Sequence, residues 1–174
     1  MEYAPEEYTR HYIVQALFRL MDEYAYEKIS VTDIARKAGV GRATFYRYFK
    51  SKEEVIAYYL EHTKRAYIFS QHYFPRCKED YRDVIIGVLE LFRENERPIR
   101  MLQRARLEYL YLDFLNKEFV STFERDHPGS SRYTPYLYAG MLYNVSMAWL
   151  NNGCAEQPAD VAQALVDAIF ADER

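Results

Sequence analysis

Apolar positions along this chain recur almost everywhere with the spacing of helices, and no segment alternates as a strand does. Ile13, Ala16, Leu17, Leu20, Met21 and Tyr24 stand at i, i+3, i+4, i+7, i+8 and i+11, the stripe of an amphipathic first helix. Pro5 near its start, followed by Glu6 and Glu7, suits the positive end of a helix dipole. A second helix opens after Ser30, whose side chain can accept a backbone N–H, with Asp33 three residues on to close a capping box. Ile34, Ala35 and Ala38 give it a small apolar face, and Gly39 can take the left-handed backbone that ends a helix. Val40 fits the angle of the turn, and Gly41 stands as N-cap of a third helix from Arg42 to about Phe49. Ser51 caps a fourth, with Glu53 and Glu54 in its first turn and Val55, Ile56, Tyr59 and Leu60 carrying it to about Phe69.

Breaks then fall at Phe74-Pro75, at Asn95 to Pro98, in the His127 to Ser131 cluster and at Asn151 to Gly153. Helices are predicted near 81–94, 99–104, 107–125, 135–151 and 158–171, with Thr134-Pro135 and Gln157-Pro158 as helix starts. The expectation is an all-α chain of about nine helices: an N-terminal three-helix helix-turn-helix domain over 1–52 and a helical domain over 53–174. The last two long helices are apolar nearly all round. Leu137, Met141, Val145 and Ala148 form one side of the first, Tyr138, Leu142 and Trp149 another, and Val161, Leu165, Ala168 and Ile169 stripe the second. One core covers one side, so the remaining side points to a partner, most simply a second copy packed about a two-fold axis. A monomer with a fully buried hairpin is the alternative.

Composition narrows the class. With 174 residues, 49% of them hydrophobic, the chain suits one or two small globular units. No apolar run approaches the roughly 20 residues of a membrane span. The start M-E-Y-A-P-E-E-Y lacks the basic-then-apolar order of a signal peptide, so a cytoplasmic protein without a membrane partner is expected. Cys77 and Cys154 are far apart and in no C-x-x-C arrangement, which reads as two reduced thiols. His11, His62, His72 and His127 share no helical spacing with acids or cysteines, and the nearest pair, His72 and Cys77, is followed by no further ligands. No metal site, cofactor or nucleophile motif is read, and no enzymatic activity is expected.

Charge changes the picture once it is divided. The net charge is −3, yet residues 1–55 carry nine basic and nine acidic side chains, so the whole negative excess lies beyond them. Arg36, Lys37, Arg42, Arg47, Lys50 and Lys52 fall in a stretch without Asp or Glu, a block that attracts phosphate. Within it Arg42, Thr44, Tyr46, Arg47 and Tyr48 supply hydrogen-bond donors along one helix, while Phe45 and Phe49, four apart, can hold its inner side to the domain.

The stretches V-T-D-I-A-R-K-A-G-V and T-F-Y-R-Y-F-K-S-K-E-E-V resemble the DNA-binding domain of the TetR family of bacterial transcriptional regulators, over roughly Tyr8 to Ile56. The resemblance implies a homodimer on double-stranded DNA, reading a pseudo-palindromic operator with two recognition helices. Arg42 and Thr44 are then the first base-contacting candidates, followed by Tyr46 and Arg47, with Ala43 beside them. Tyr46, Tyr48 and Lys52 match family positions that touch phosphate or neighbouring bases, and Thr32 and Arg36 can reach phosphate or a groove edge. The final two helices of the family form a four-helix interface, which assigns Leu137, Met141, Val145, Ala148, Trp149, Val161, Leu165, Ala168 and Ile169 to the dimer.

The resemblance also implies an enclosed pocket whose unidentified small-molecule effector respaces the readers through the helix after Lys52. Tyr59, Tyr67, Phe92, Tyr109, Tyr111, Phe114, Phe119, Tyr138, Tyr143 and Trp149 are the aromatics available to line it, and packing alone is the plainer role for any one of them. A repressor is the first reading. An activator or adaptor controlled by a protein partner is the second. The stretch W-L-N-N-G-C-A-E-Q-P resembles the end of the C-terminal domain in one branch of the family. Two positions depart from the pattern: Ala25 stands where a glycine ends the first helix, and Gly41 where a serine or similar cap opens the third. A left-handed Ala25 would cost about 1 kcal/mol, and a glycine cap only tenths of that.

Overall fold

The computed structural model describes residues 5–63, 77–126 and 129–171. Among them nine α-helices and one 3-10 turn account for the regular structure, and no strand is present. The predicted continuation of the fourth helix to Phe69, the Phe74-Pro75 break, Tyr67, His72 and His127 lie outside the described residues. The chain packs as two compact units: residues up to Thr63 together with Arg100–Leu110, and the remainder.

The first unit begins with α1 (Pro5–Glu23), which packs against α2 (Val31–Ala38) and α4 (Lys52–Thr63), while α2 packs on α3 (Arg42–Tyr48). Ile13, Ala16, Leu17, Leu20 and Met21 are buried, as their stripe requires. Tyr24 is not: the helix stops at Glu23, and the ring one residue on is 56% exposed. Ala25 has φ −62° and ψ 137°, extended backbone that costs nothing, so a left-handed Ala25 with its strain is not adopted and the local turn differs instead. A 3-10 turn over Tyr26–Lys28 makes the bend instead, closed by Lys28 N–H donating to Ala25 O at 3.0 Å.

The α2 cap is complete. Asp33 N–H donates to Ser30 Oγ at 3.1 Å, and Ser30 N–H and Oγ–H donate to Asp33 Oδ2 at 3.1 and 2.6 Å. At the other end Gly39 is left-handed, φ 72°, with its N–H on Arg36 O at 3.2 Å and Val40 N–H on Ala35 O at 2.9 Å, a Schellman closure. Ser30→Ala is expected to cost about 1 kcal/mol in urea denaturation. The Ser30 hydrogen bonds hold the Asp33 carboxyl below the usual carboxylate range. A depressed carboxylate contributes stability above its unfolded value and loses it as pH falls through its folded value. The gap between wild type and Ser30→Ala should therefore be full at neutral pH and shrink below about pH 4. A gap that widens in acid would contradict this cap.

In the second unit α5 (Lys78–Glu94) packs against α8 (Thr134–Asn151) and α9 (Pro158–Ile169). Ile85, Val88, Leu89 and Phe92 of α5, Leu115 of α7 (Tyr109–Asp126), Leu142 and Leu150 of α8 and Ala162 of α9 are almost wholly buried. The helix expected from 99 begins earlier, as α6 (Glu96–Arg104), because Pro98 falls in its first turn, where an N–H is not needed. The W-L-N-N-G-C stretch ends α8 by the same device as Gly39. Gly153 has φ 72°, its N–H reaches Leu150 O at 3.0 Å, and Cys154 N–H reaches Trp149 O at 3.0 Å.

Both terminal helices carry two apolar faces. Toward the core, α8 buries Pro135, Ala139, Leu142, Met147, Trp149 and Leu150, and α9 buries Pro158, Ala162 and Val166. On the other side Leu137 is 69% exposed, Ala148, Ala168 and Ile169 are exposed, and Met141, Val145, Val161 and Leu165 are half-buried. Trp149 belongs to the inner set: it is buried, and its indole N–H donates to Glu156 O at 2.9 Å. Among the described residues no helix is long and apolar enough to cross a membrane.

Candidate nucleic-acid interface

Two phenylalanines fix the orientation of α3. Phe45 is fully buried and Phe49 nearly so, their rings 6.0 Å apart. Gly41 offers no side-chain cap, yet its carbonyl accepts Phe45 N–H at 3.0 Å and starts the helix. Phe49, with φ −144°, is extended and stops it. With the inner side so held, Arg42, Ala43, Tyr46 and Arg47 are exposed, and Thr44 and Tyr48 are half-buried at the margin. The Arg42 guanidinium lies 5.9 Å from the Tyr46 ring, close enough for the ring face to steady it.

On α2, Thr32 and Arg36 are exposed, but Arg36 is bound to Asp33 at 2.6 Å, so its charge is partly engaged within the domain. Lys37 lies 3.8 Å from Glu23. Lys50 is exposed directly after α3, and its backbone N–H donates to Glu54 Oε2 at 2.6 Å while Glu54 N–H donates to Ser51 Oγ at 3.3 Å. This reciprocal cap is what starts α4.

Lys52 occupies a different setting from the other cations. Its ammonium donates to Tyr26 O and Ile29 O, both at 2.8 Å, and sits 4.0 Å from the centre of the Tyr26 ring. Tyr26 Oη–H in turn donates to Glu53 Oε1 at 2.5 Å. Burial and this carboxylate push the Tyr26 phenol well above its ordinary value. Burial alone would raise Glu53 as well, but the hydrogen bonds from Tyr26, its own backbone N–H and Ser51, with the charge of Lys52, together outweigh it and hold the carboxyl below its usual range. Lys52 and Glu53 thus tie α4 to the turn after α1, a joint that sequence inspection does not reveal because its partners lie 23 to 27 residues apart. Arg10 was missed for the same reason: its guanidinium lies 5.4 Å from the ring centres of both Tyr48 and Tyr58.

The aromatics offered for an effector pocket divide between the units. Tyr59 and Tyr109 belong to the first, where Tyr59 packs on Phe18 at 4.5 Å and Tyr109 is exposed. Phe92, Tyr111, Phe114, Phe119 and Trp149 are buried in the second, and Tyr138 and Tyr143 are half-buried there. Phe92 and Tyr111 meet at 4.8 Å, and Tyr111 and Phe114 at 6.0 Å. Tyr138 is hydrogen-bonded through its hydroxyl to Tyr81 and packs 5.6 Å from Phe123, and Tyr81 packs 5.1 Å from Phe170. Burial, reinforced by Tyr81, raises the Tyr138 phenol. Tyr81, Phe123 and Phe170 were not among the residues singled out from sequence. Among the described residues no group of three or more His, Cys, Asp or Glu is placed to hold a metal ion.

Short helices joined by a glycine turn, the last of them buried on its phenylalanine side and cationic on its outer side, define a helix-turn-helix DNA-binding domain. Residues 13–59 match the family model described as bacterial regulatory proteins, tetR family. An HTH-type transcriptional regulator of Staphylococcus aureus is 36% identical over 73 residues, 42% of this chain and 38% of that protein. The chain thus aligns with well under half the length of the curated relatives it matches. The Lin0861 protein of Listeria innocua shares the fold with a TM-score of 0.78 at 19% identity, covering 97% of this chain and 93% of that one. The transcriptional regulator FadR of Bacillus subtilis, solved with stearoyl-CoA, aligns with a TM-score of 0.54 at 17% identity over 90% and 95% of the two chains. Residues 13–59 thus form a DNA-binding domain of the kind found in the tetR family of bacterial regulatory proteins.

Proposed function

We propose that this chain is a homodimeric transcriptional repressor that reads a pseudo-palindromic operator and is released by a small molecule held in its second unit. The observation that carries the DNA-reading part is α3: Phe45 and Phe49 lock one side, leaving Arg42, Tyr46 and Arg47 free of the core on the other. The dimer is supported by the accessible apolar stripe of Leu137, Met141, Val145 and Ala148 with Val161, Leu165, Ala168 and Ile169, beyond what either helix buries internally. The effector is supported by the cluster of aromatic side chains in the second unit and by the stearoyl-CoA held by a regulator of similar fold.

Selection from a pool of random duplexes by the purified chain tests the first two parts. Enrichment of two half-sites related by a two-fold, about one helical turn or a multiple apart, is expected. A single unrepeated half-site would contradict the dimer. On the selected duplex, Arg42→Ala should cost about 1–3 kcal/mol, concentrated at one base position per half-site. Equal losses on random DNA would remove Arg42 from base reading. A metabolite that raises thermal stability should also weaken DNA binding; stabilisation with unchanged affinity would remove the effector role.

A further inference from the structure

Arg10 is a cation of the first unit that lies outside α2 and α3. It stands in the second turn of α1, half-buried, with its guanidinium 5.4 Å from the ring centres of Tyr48, at the end of α3, and Tyr58, in α4. Its Nε is buried without a hydrogen-bond partner. Neither Glu6 nor Glu7, four and three residues before it on the same helix, pairs with it, and no described carboxylate does. Tyr58 is itself stacked on His62 at 3.7 Å, and Phe49 packs edge-on to Tyr58 at 5.5 Å, so the Tyr58 ring beside Arg10 sits in a packed aromatic group. Ring faces attract a cation but do not replace an anion as the partner of a half-buried guanidinium. The planar fork suits phosphate oxygen, and its position beside Tyr48 puts it at the margin of the reading helix.

We propose that Arg10 is a backbone-phosphate contact of the DNA interface, with Tyr48 and Tyr58 holding its guanidinium in place and the phosphate supplying the missing counter-charge. The inference rests on the DNA-reading function proposed above. One phosphate contact carries a salt slope of about 0.9 in log K against log salt, so its loss corresponds to about eightfold weaker binding at 0.1 M salt.

The test is titration of the full chain with a random-sequence duplex over a range of salt, for wild type, Arg10→Gln and Arg10→Lys, beside their thermal midpoints. Arg10→Gln should flatten the slope by about 0.9 per bound protomer. Arg10→Lys, which keeps the charge but loses the planar fork, should keep most of that slope even if its midpoint falls. An unchanged slope in Arg10→Gln overturns the proposal, whether affinity holds or falls in step with the thermal midpoint, since packing alone would then explain the residue. If Arg10→Gln does not fold, a slope for Arg10→Lys flattened by the full amount overturns the proposal and a retained slope supports it. Wild-type protein that binds no duplex at any salt removes the DNA reading as well, an outcome distinct from a bound wild type with unchanged variant slopes.

Discussion

Phe45→Ala should unfold the DNA-reading unit or leave it barely folded. Phe45 is fully buried, T-shaped against Tyr46 at 5.5 Å and tilted on Phe49 at 6.0 Å, and it is the more deeply buried of the two phenylalanines that hold α3. Removing a buried phenylalanine costs about 3–5 kcal/mol. That is a large share of the roughly 5–15 kcal/mol that holds a domain together. In urea denaturation followed by circular dichroism, the transition of the first unit should move to much lower denaturant, and DNA binding should vanish at concentrations where the wild type is saturated. Phe45→Leu, which keeps most of the apolar volume, should lie between the two. A variant within about 1 kcal/mol of wild type would show that the anchor is elsewhere.

Lys52→Met should be the second most damaging change, and mainly by destabilisation. The substitution keeps the apolar stem but removes two bonds from an ammonium to backbone carbonyls and the charge beside the Tyr26 ring. Bonds to a charged donor contribute about 1.5–3 kcal/mol each, and an exposed cation–π contact about 0.5–1 kcal/mol. Tyr26 O keeps the N–H of Ile29 at 3.1 Å, and the site is only part-buried, so the terms do not add in full. A net loss of roughly 2–3 kcal/mol is expected. Because both carbonyls belong to the turn before α2, the fraction that remains folded should bind DNA with an almost unchanged salt slope. A slope flattened by about one, with stability intact, would instead return Lys52 to the phosphate contacts that family resemblance assigns it.

How much could be read without coordinates depended on distance along the chain. The Ser30 and Asp33 cap, the Gly39 turn and the Phe45 and Phe49 anchor are each made within five residues, and each was legible because capping, left-handed turns and helical faces are local physics. The edges were less legible for the same reason. Tyr24 continues the stripe of α1 by count, but the helix ends one residue before it, and only the Ala25 backbone shows that the following turn is extended. Pro98 marked a break on paper and proved to be the first turn of a helix.

In α8 the pattern was ambiguous because apolar residues surround the helix. Nothing in the spacing of Leu137, Leu142 and Trp149 says which of them faces inward. Tertiary packing decided it, burying Leu142 and Trp149 and leaving Leu137 outside. The membership of the units was decided in the same way. A split after residue 52 follows from motif boundaries, whereas α4 and Arg100–Leu110 fall in the same compact unit as the first three helices, because burial joins segments without regard to chain order.

Local sequence alone therefore determined an all-helical chain with an N-terminal helix-turn-helix like that of the tetR family, and the cationic residues that α3 presents. Tertiary structure settled the contacts between segments far apart: Arg10 with Tyr48 and Tyr58, and Lys52 and Glu53 with the turn at Tyr26. A charge shows its sign in the sequence. Its partner is set by which surfaces the hydrophobic core brings together, and that depends on the whole fold.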